Sequence, residues 1–350
     1  MLGKSLNNFV PPVPPGWDLW FGRGSVPAGT YETNYFSFTA ANVIRVAKDE
    51  RRPFFMWLGT SAPHRNVDPP SRYADAFPNV TAPRPPSFNE EDVSGKPKWL
   101  REKPPLSESE ISGVDEQYRT RLRTMLAVDD LIGRLVKRLR KSGELENTYI
   151  LFTSDNGFVM GEHRRPQGKW SAYEEAMRVP LIVRGIGVPE GRTLPHMVLN
   201  NDFAPPFADL AEAKTPSFVD GRSFVPLLRS PSPPSSKWRK AFLEEGLESK
   251  TGRPAFEAIR TTDHLWVDYA NGERELYDLQ EDPYELESQD STAPNDLKQD
   301  LARRLDGLRD CSKEGCRAAE GFWTMSFTRV RMEPFPEVAF ASLHWTEGQR

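Results

Sequence analysis

An apolar stripe across residues 115–141 constrains this chain more than any other feature. Leu122, Met125, Leu126, Ile132, Leu135, Val136 and Leu139 recur at helical spacing. The spacing predicts a long amphipathic helix with one face on a core. Lys137, Arg138, Arg140 and Lys141 crowd its last turns, where cations suit the negative end of the helix dipole. Gly143 is a natural stop. Short apolar runs at 54–58 and 149–153 read as buried strands on either side of it. A further helix is expected over 34–48, a strand over 180–183 and an Asp202-capped helix over 202–211. Ser171 with Glu174 resembles a capping box. Alternating helix and strand predicts an α/β fold, with a mainly parallel sheet sandwiched by helices.

Prolines punctuate this pattern. There are 32 of them, with clusters at 11–15, 69–70, 83–86, 104–105 and 231–234. Each locks its backbone and removes a donor, so the clusters mark loops. The stretch 230–236 reads as a linker between residues 1–229 and a second region, 237–316. There, strands are expected near 256–260, 264–269 and 275–279, with a helix over 296–308. Asn271-Gly272 between two of them is a strong hairpin signal. The second region thus predicts a small antiparallel α+β subdomain. Residues 317–350 read as a tail with no usable pattern.

With 350 residues and a net charge of -4, nothing here points to nucleic acid or an anionic membrane as partner. No apolar run approaches the ~20 residues of a membrane span. The opening residues lack the charged and apolar regions of a signal peptide. Cys311 and Cys316 are the two cysteines, spaced to close a small disulfide loop or to stay free.

Candidate chemistry sits after the predicted strands, where open α/β sheets bind ligands. Asp155 and Asn156 offer a carboxylate and an amide oxygen, the donors a hard cation such as calcium takes. The Asp-Asn-Gly run is also an ordinary turn signal. His64 follows the first strand and suits proton transfer near neutrality. Lys169 and Lys4 lie beside glycines and could clamp an anion as point charges. His163 is a candidate substrate contact.

Read together, these segments resemble the sulfatase family of the alkaline-phosphatase superfamily. The carriers are Pro63-His64, Ser154-Asp155-Asn156-Gly157, Gly168-Lys169, Tyr173-Glu174-Glu175 and Arg178-Val179-Pro180-Leu181. Gly3-Lys4-Ser5-Leu6-Asn7, Asp220-Gly221-Arg222-Ser223 and Glu275-Leu276-Tyr277-Asp278-Leu279 flank them. Phe77-Pro78-Asn79-Val80 is most similar to the N-acetylglucosamine-6-sulfatase branch. The resemblance implies an alkaline-phosphatase-like fold and hydrolysis of sulfate esters, with sulfated carbohydrates or glycosaminoglycans as substrates. It implies Ca2+ held by Asp155 and Asn156. It implies Lys4 on the nucleophile, Lys169 on the sulfate, and His64 protonating the leaving oxygen. It also suggests a secreted, periplasmic or lysosomal setting.

The family's nucleophile is a formylglycine made from a C/S-x-P-x-R motif. That motif is expected upstream of Lys4, so the chain as written is expected to be truncated and inactive. Ser61-Ala62-Pro63-His64-Arg65 matches formally but stands where the family has its histidine loop. Two other readings stay open: a phosphoester or phosphonate hydrolase of the same superfamily, and a sulfated-glycan binder without turnover.

Overall fold

The structure is a computed structural model and describes residues 1–4, 13–249 and 252–321. Strand β1 (Leu2–Gly3) leads through helix α1 (Glu32–Asp49) to strand β2 (Leu58–Gly59). A short helix α2 (Lys98–Arg101) precedes the long α3 (Glu108–Ser142), which ends at Gly143 with a φ of 75°. Strand β3 (Ile150–Thr153), helix α4 (Glu174–Met177), strand β4 (Leu181–Arg184) and helix α5 (Ala204–Leu210) follow. Strands β5 (Ala241–Gly246), β6 (Phe256–Thr261), β7 (His264–Tyr269) and β8 (Arg274–Asp278) come next. Helices α6 (Asn295–Arg309) and α7 (Glu314–Ala319) close the described part.

Pairing explains the architecture. β1 and β2 are parallel, joined by a crossover through α1. β3 and β4 are antiparallel, in register from Ile150 opposite Arg184 to Thr153 opposite Leu181. Their connection carries only the four-residue α4, too little helix for a parallel crossover. Among the described residues, the parallel pairing expected from the alternation is seen around β1, which pairs with β2 and makes a parallel bridge from Leu2 to Phe21. Of the expected strand at 54–58 only Leu58 joins the ladder, which continues to Gly59.

α1 lies against α3. Phe36 and Ala40 pack with Leu2, and Ile44 with Leu139 and Leu145. Phe38 of α1 is exposed and carries the Arg134 guanidinium of α3 over its ring. α3 begins at Glu108, about two turns earlier than its apolar stripe predicts. A capping box of Ser107 and Glu110 starts it, and Ser171 with Glu174 makes none. Asp202 caps no α-helix either. It is fully buried, accepts hydrogen bonds from the Leu199 and Arg222 backbone amides, and pairs with the equally buried Arg239.

The C-terminal sheet has the order β5-β6-β7-β8, all antiparallel. One face (Ile259, Trp266, Leu276) packs on Leu301, Leu305 and Leu308 of α6. The other (Ala258, Leu265, Val267, Tyr277) packs on Leu100, Ala172 and Tyr173 of the larger region. Cys311 and Cys316 form a disulfide. Packed structure continues past Cys316, because Glu320 makes ion pairs with Arg222 (2.6 Å) and Arg239 (2.9 Å). The Ser5-Leu6-Asn7 part of the motif after Lys4, and residues 322–350 of the expected tail, lie outside the described residues.

Candidate active site

Three strand ends converge. β1 and β2 are parallel, so Lys4 and the turn bearing His64 leave from the same edge. The Lys4 amide donates to the Gly59 carbonyl at 2.6 Å. A Cβ on Gly59 would stand 2.2 Å from the Lys4 carbonyl oxygen, so no other residue fits there. β3 delivers Ser154-Asp155-Asn156-Gly157. The Gly157 amide donates to the Ala176 carbonyl at 2.9 Å, and a Cβ there would stand 2.1 Å from the Glu175 carbonyl oxygen. The glycine of this run therefore serves close packing on α4.

The side chains then meet. Lys4 Nζ lies 3.2 Å from Asp155 Oδ2, and Lys169 Nζ donates to Asn156 Oδ1 at 2.9 Å. Lys169 follows a two-sided bridge between Val159 and Gly168, and the Arg165 guanidinium donates to its carbonyl at 2.8 Å. Partial desolvation opposes ionisation of Asp155. The hydrogen bond and charge of Lys4, with the charge of Lys169, outweigh it and hold the carboxyl below its usual range. His64 is exposed, its backbone amide donating to the Ser61 carbonyl at 2.7 Å. Partial burial, then the charges of Lys169 and Lys4, lower its pKa, so the free imidazole is neutral at pH 7. Ser61 belongs to the same turn, but its hydroxyl is buried and unpartnered.

Asp155 and Asn156 present oxygens of the chemistry calcium prefers, and cationic nitrogens already rest on both. That donor set fits a hard dication, and supplies two or three of the ~6–8 oxygens calcium takes. Two nearby residues escaped sequence reasoning. Asn200 donates to the Asp155 carbonyl at 3.0 Å, steadying the turn from a segment 45 residues away. Trp170, next to Lys169, is 68% exposed with a φ of 70°, an unfavourable backbone for a bulky residue.

His163 does not join this group. It is fully buried and stacked on Tyr173 at 4.1 Å. Its Nδ1 lies 3.4 Å from Glu90 and its Nε2 3.6 Å from Glu175. Burial disfavours its charged form, but the two carboxylates outweigh that and raise its pKa. The expectation of a substrate contact is corrected: with both ring faces and both nitrogens enclosed, His163 has no surface to offer. Of the two carboxylates that enclose it, Glu90 lies 73 residues away in sequence, which is why the motif alone gave no sign of the enclosure.

Comparison with known proteins gives the geometry a context. The sulfatase family model matches residues 7–213, and that of the N-sulphoglucosamine sulphohydrolase C-terminal region matches residues 161–311. N-acetylglucosamine-6-sulfatases of Capra hircus and Homo sapiens are each 32% identical, over 91% and 90% of this chain. In both cases the chain spans 67% of the relative's length. An N-acetylglucosamine-6-O-sulfatase of Bacteroides thetaiotaomicron is 31% identical over 77% of this chain and 59% of its own length. A solved structure in complex with its substrate D-glucosamine-2-N,6-O-disulfate superposes with a TM-score of 0.71 at 28% identity. It covers 78% of this chain and 68% of that one. A phosphonate monoester hydrolase from Silicibacter pomeroyi superposes at 0.61 and 21% identity over 78% of this chain and 58% of its own, a likeness of fold alone.

Proposed function

The chain belongs to the sulfatase family, with an alkaline-phosphatase-like α/β fold, and from that premise we propose that it acts as a sulfuric ester hydrolase on sulfated amino sugars of the glycosaminoglycan type. One observation carries the reading. Two lysine ammoniums, a carboxylate and an amide oxygen meet where three strands end, with an imidazole close enough to feel both ammoniums. No described helix is long and apolar enough to cross a membrane.

The family generally uses calcium and a formylglycine, which when present supply charge stabilisation and the nucleophile that attacks sulfur. In this reading Lys169 takes a sulfate oxygen and Lys4 holds the nucleophile. Asp155 and Asn156 give their oxygens to the cation. His64 protonates the departing alcohol oxygen. The neutral imidazole must gain a proton first, and an arriving sulfate anion favours that by offsetting the lysine charges. Each donor aimed at developing negative charge is worth about 3 kcal/mol of barrier in comparable sites. Trp170 offers an exposed ring beside Lys169, a surface on which a pyranose can stack.

The test is binding and release measured together. Calorimetry with N-acetylglucosamine 6-sulfate should show binding that Lys169→Ala weakens at least tenfold. A version extended upstream to a C/S-x-P-x-R motif should release sulfate. Unchanged binding in Lys169→Ala would remove the basis of the assignment. Within the given sequence that motif occurs once, at 61–65, with its serine hydroxyl buried. Binding without turnover in the extended protein would select a second reading, a sulfated-glycan binder.

A further inference from the structure

Six residues before Lys169, and beneath the rim, lies a second cluster that the sulfatase reading does not use. His163, Glu175 and Glu285 each offer one ligand atom within 4.8 Å of the others. They come from three segments: the loop after Val159, helix α4, and the turn after β8 of the C-terminal sheet. His163 and Glu285 are fully buried.

The arrangement of their remaining atoms is what points to a ligand. Each residue is anchored through one atom and left open at the other. Glu175 Oε1 accepts from Ser87 Oγ at 3.1 Å, and Glu285 Oε2 accepts from the Glu174 amide at 3.0 Å. His163 Nδ1 faces Glu90 Oε1 at 3.4 Å. The opposite atoms, Glu175 Oε2, Glu285 Oε1 and His163 Nε2, are buried without a hydrogen-bond partner. These three atoms share one buried space, with Nε2 3.6 Å from Glu175 Oε2, and leaving them without a hydrogen bond is costly unless a shared ion or proton satisfies them. A carboxylate behind the far nitrogen of a histidine is the arrangement that frees the near nitrogen's lone pair for a metal.

We propose that His163, Glu175 and Glu285 form a buried site for a transition dication of the zinc type, with Glu90 orienting the imidazole. Imidazole with carboxylates suits zinc rather than calcium. Zinc bonds of about 2.0–2.2 Å require the widest pair of ligand atoms to close by roughly 1–1.5 Å. Lys96 borders the site, its buried ammonium donating to the backbone carbonyl of Glu285 itself. Its ammonium donates to Tyr277 Oη at 3.0 Å and faces Glu90 at 3.9 Å, balancing the orienting carboxylate. The ion would staple the C-terminal sheet to the loop that carries Lys169. This inference does not depend on the sulfatase reading.

The rival occupants of the space are protons, on the imidazole and on Glu285, and the experiment separates them. The full chain is purified in excess calcium, to fill oxygen-only sites, and its zinc content is measured by mass spectrometry. The expected result is a single tightly held zinc per chain and a metal-dependent rise of several degrees in Tm. Glu285→Gln should lose the zinc, while Asp155→Asn at the rim should keep it. X-ray absorption of the wild-type zinc protein should show one imidazole among oxygen ligands, and it decides alone if Glu285→Gln does not fold. No retained zinc, zinc kept by a folded Glu285→Gln, or a spectrum without imidazole each overturns the proposal.

Discussion

At the rim, Lys4 meets Asp155 at 3.2 Å with 29% and 67% of their side chains exposed; in the interior, Arg239 meets Asp202 with neither side chain exposed at all. The two pairs look alike on paper and differ in what they can do. Water screens the rim pair, so it contributes little to folding and its members stay free to exchange partners for a ligand. The interior pair has lost water altogether. Removing one member leaves the other buried with its charge less fully paired, so the pair is committed to structure. The same contrast recurs along one short loop, where His163 is enclosed and Lys169 reaches the rim. Function here draws on charges the fold has not fully used.

The contrast is broken most severely at Asp202. Asp202→Ala should cost about 3–5 kcal/mol in urea denaturation, because buried Arg239 keeps only Glu320 as a partner and the Leu199 and Arg222 amides lose their acceptor. A cost below about 1 kcal/mol would mean that the interior pair is no different from the rim. Lys169→Ala should do the reverse: stability within about 1 kcal/mol of wild type, and sulfate release by the upstream-extended protein slowed about 10²–10³-fold.

A pH series at Glu244 sharpens the interior side. Burial, aided by the charge of Glu174, pushes this carboxyl well above its usual pKa. A carboxyl raised by folding costs nothing while both states are protonated, and destabilises progressively as pH climbs from its unfolded towards its folded value. Glu244→Gln should therefore match wild type near pH 4 and gain on it as pH rises. A gain independent of pH would show that the group does not titrate.

Two small effects refine the rim. Trp170→Gly should raise stability by up to about 1 kcal/mol by relieving the left-handed backbone, while sugar binding falls. Lys4 and Asp155 in a double-mutant cycle should couple by only about 0.2–1 kcal/mol, measured by denaturation.

What could be read in advance was what is local. α3, the β7–β8 hairpin around Gly272 and helix α6 announce themselves through spacing or turn chemistry within a few residues. β5 did not, because Glu244, Glu245 and Gly246 interrupt the alternation a strand should show. The antiparallel pairing of β3 with β4 depends on the path of residues 154–180, which periodicity does not encode. At the rim, position after a strand marked Asp155, Asn156 and His64 from the residues themselves. Lys4 and Lys169 gained meaning only as part of a family pattern, because a lone lysine is ordinarily a solvated one. The enclosure of His163 was illegible. Glu90 lies 73 residues before it and Glu285 in the turn after β8, and only the packed chain brings them together.

The two tight approaches at Gly59 and Gly157 bear on how this rim would respond to mutation. Neither position has a side chain to touch substrate, yet a single added methyl at either would collide with backbone at 2.2 and 2.1 Å. A variant library sorted only for folding should return glycine at both, so invariance there would record how closely two stretches of main chain must lie, and a search for catalytic groups by intolerance alone would be misled by them.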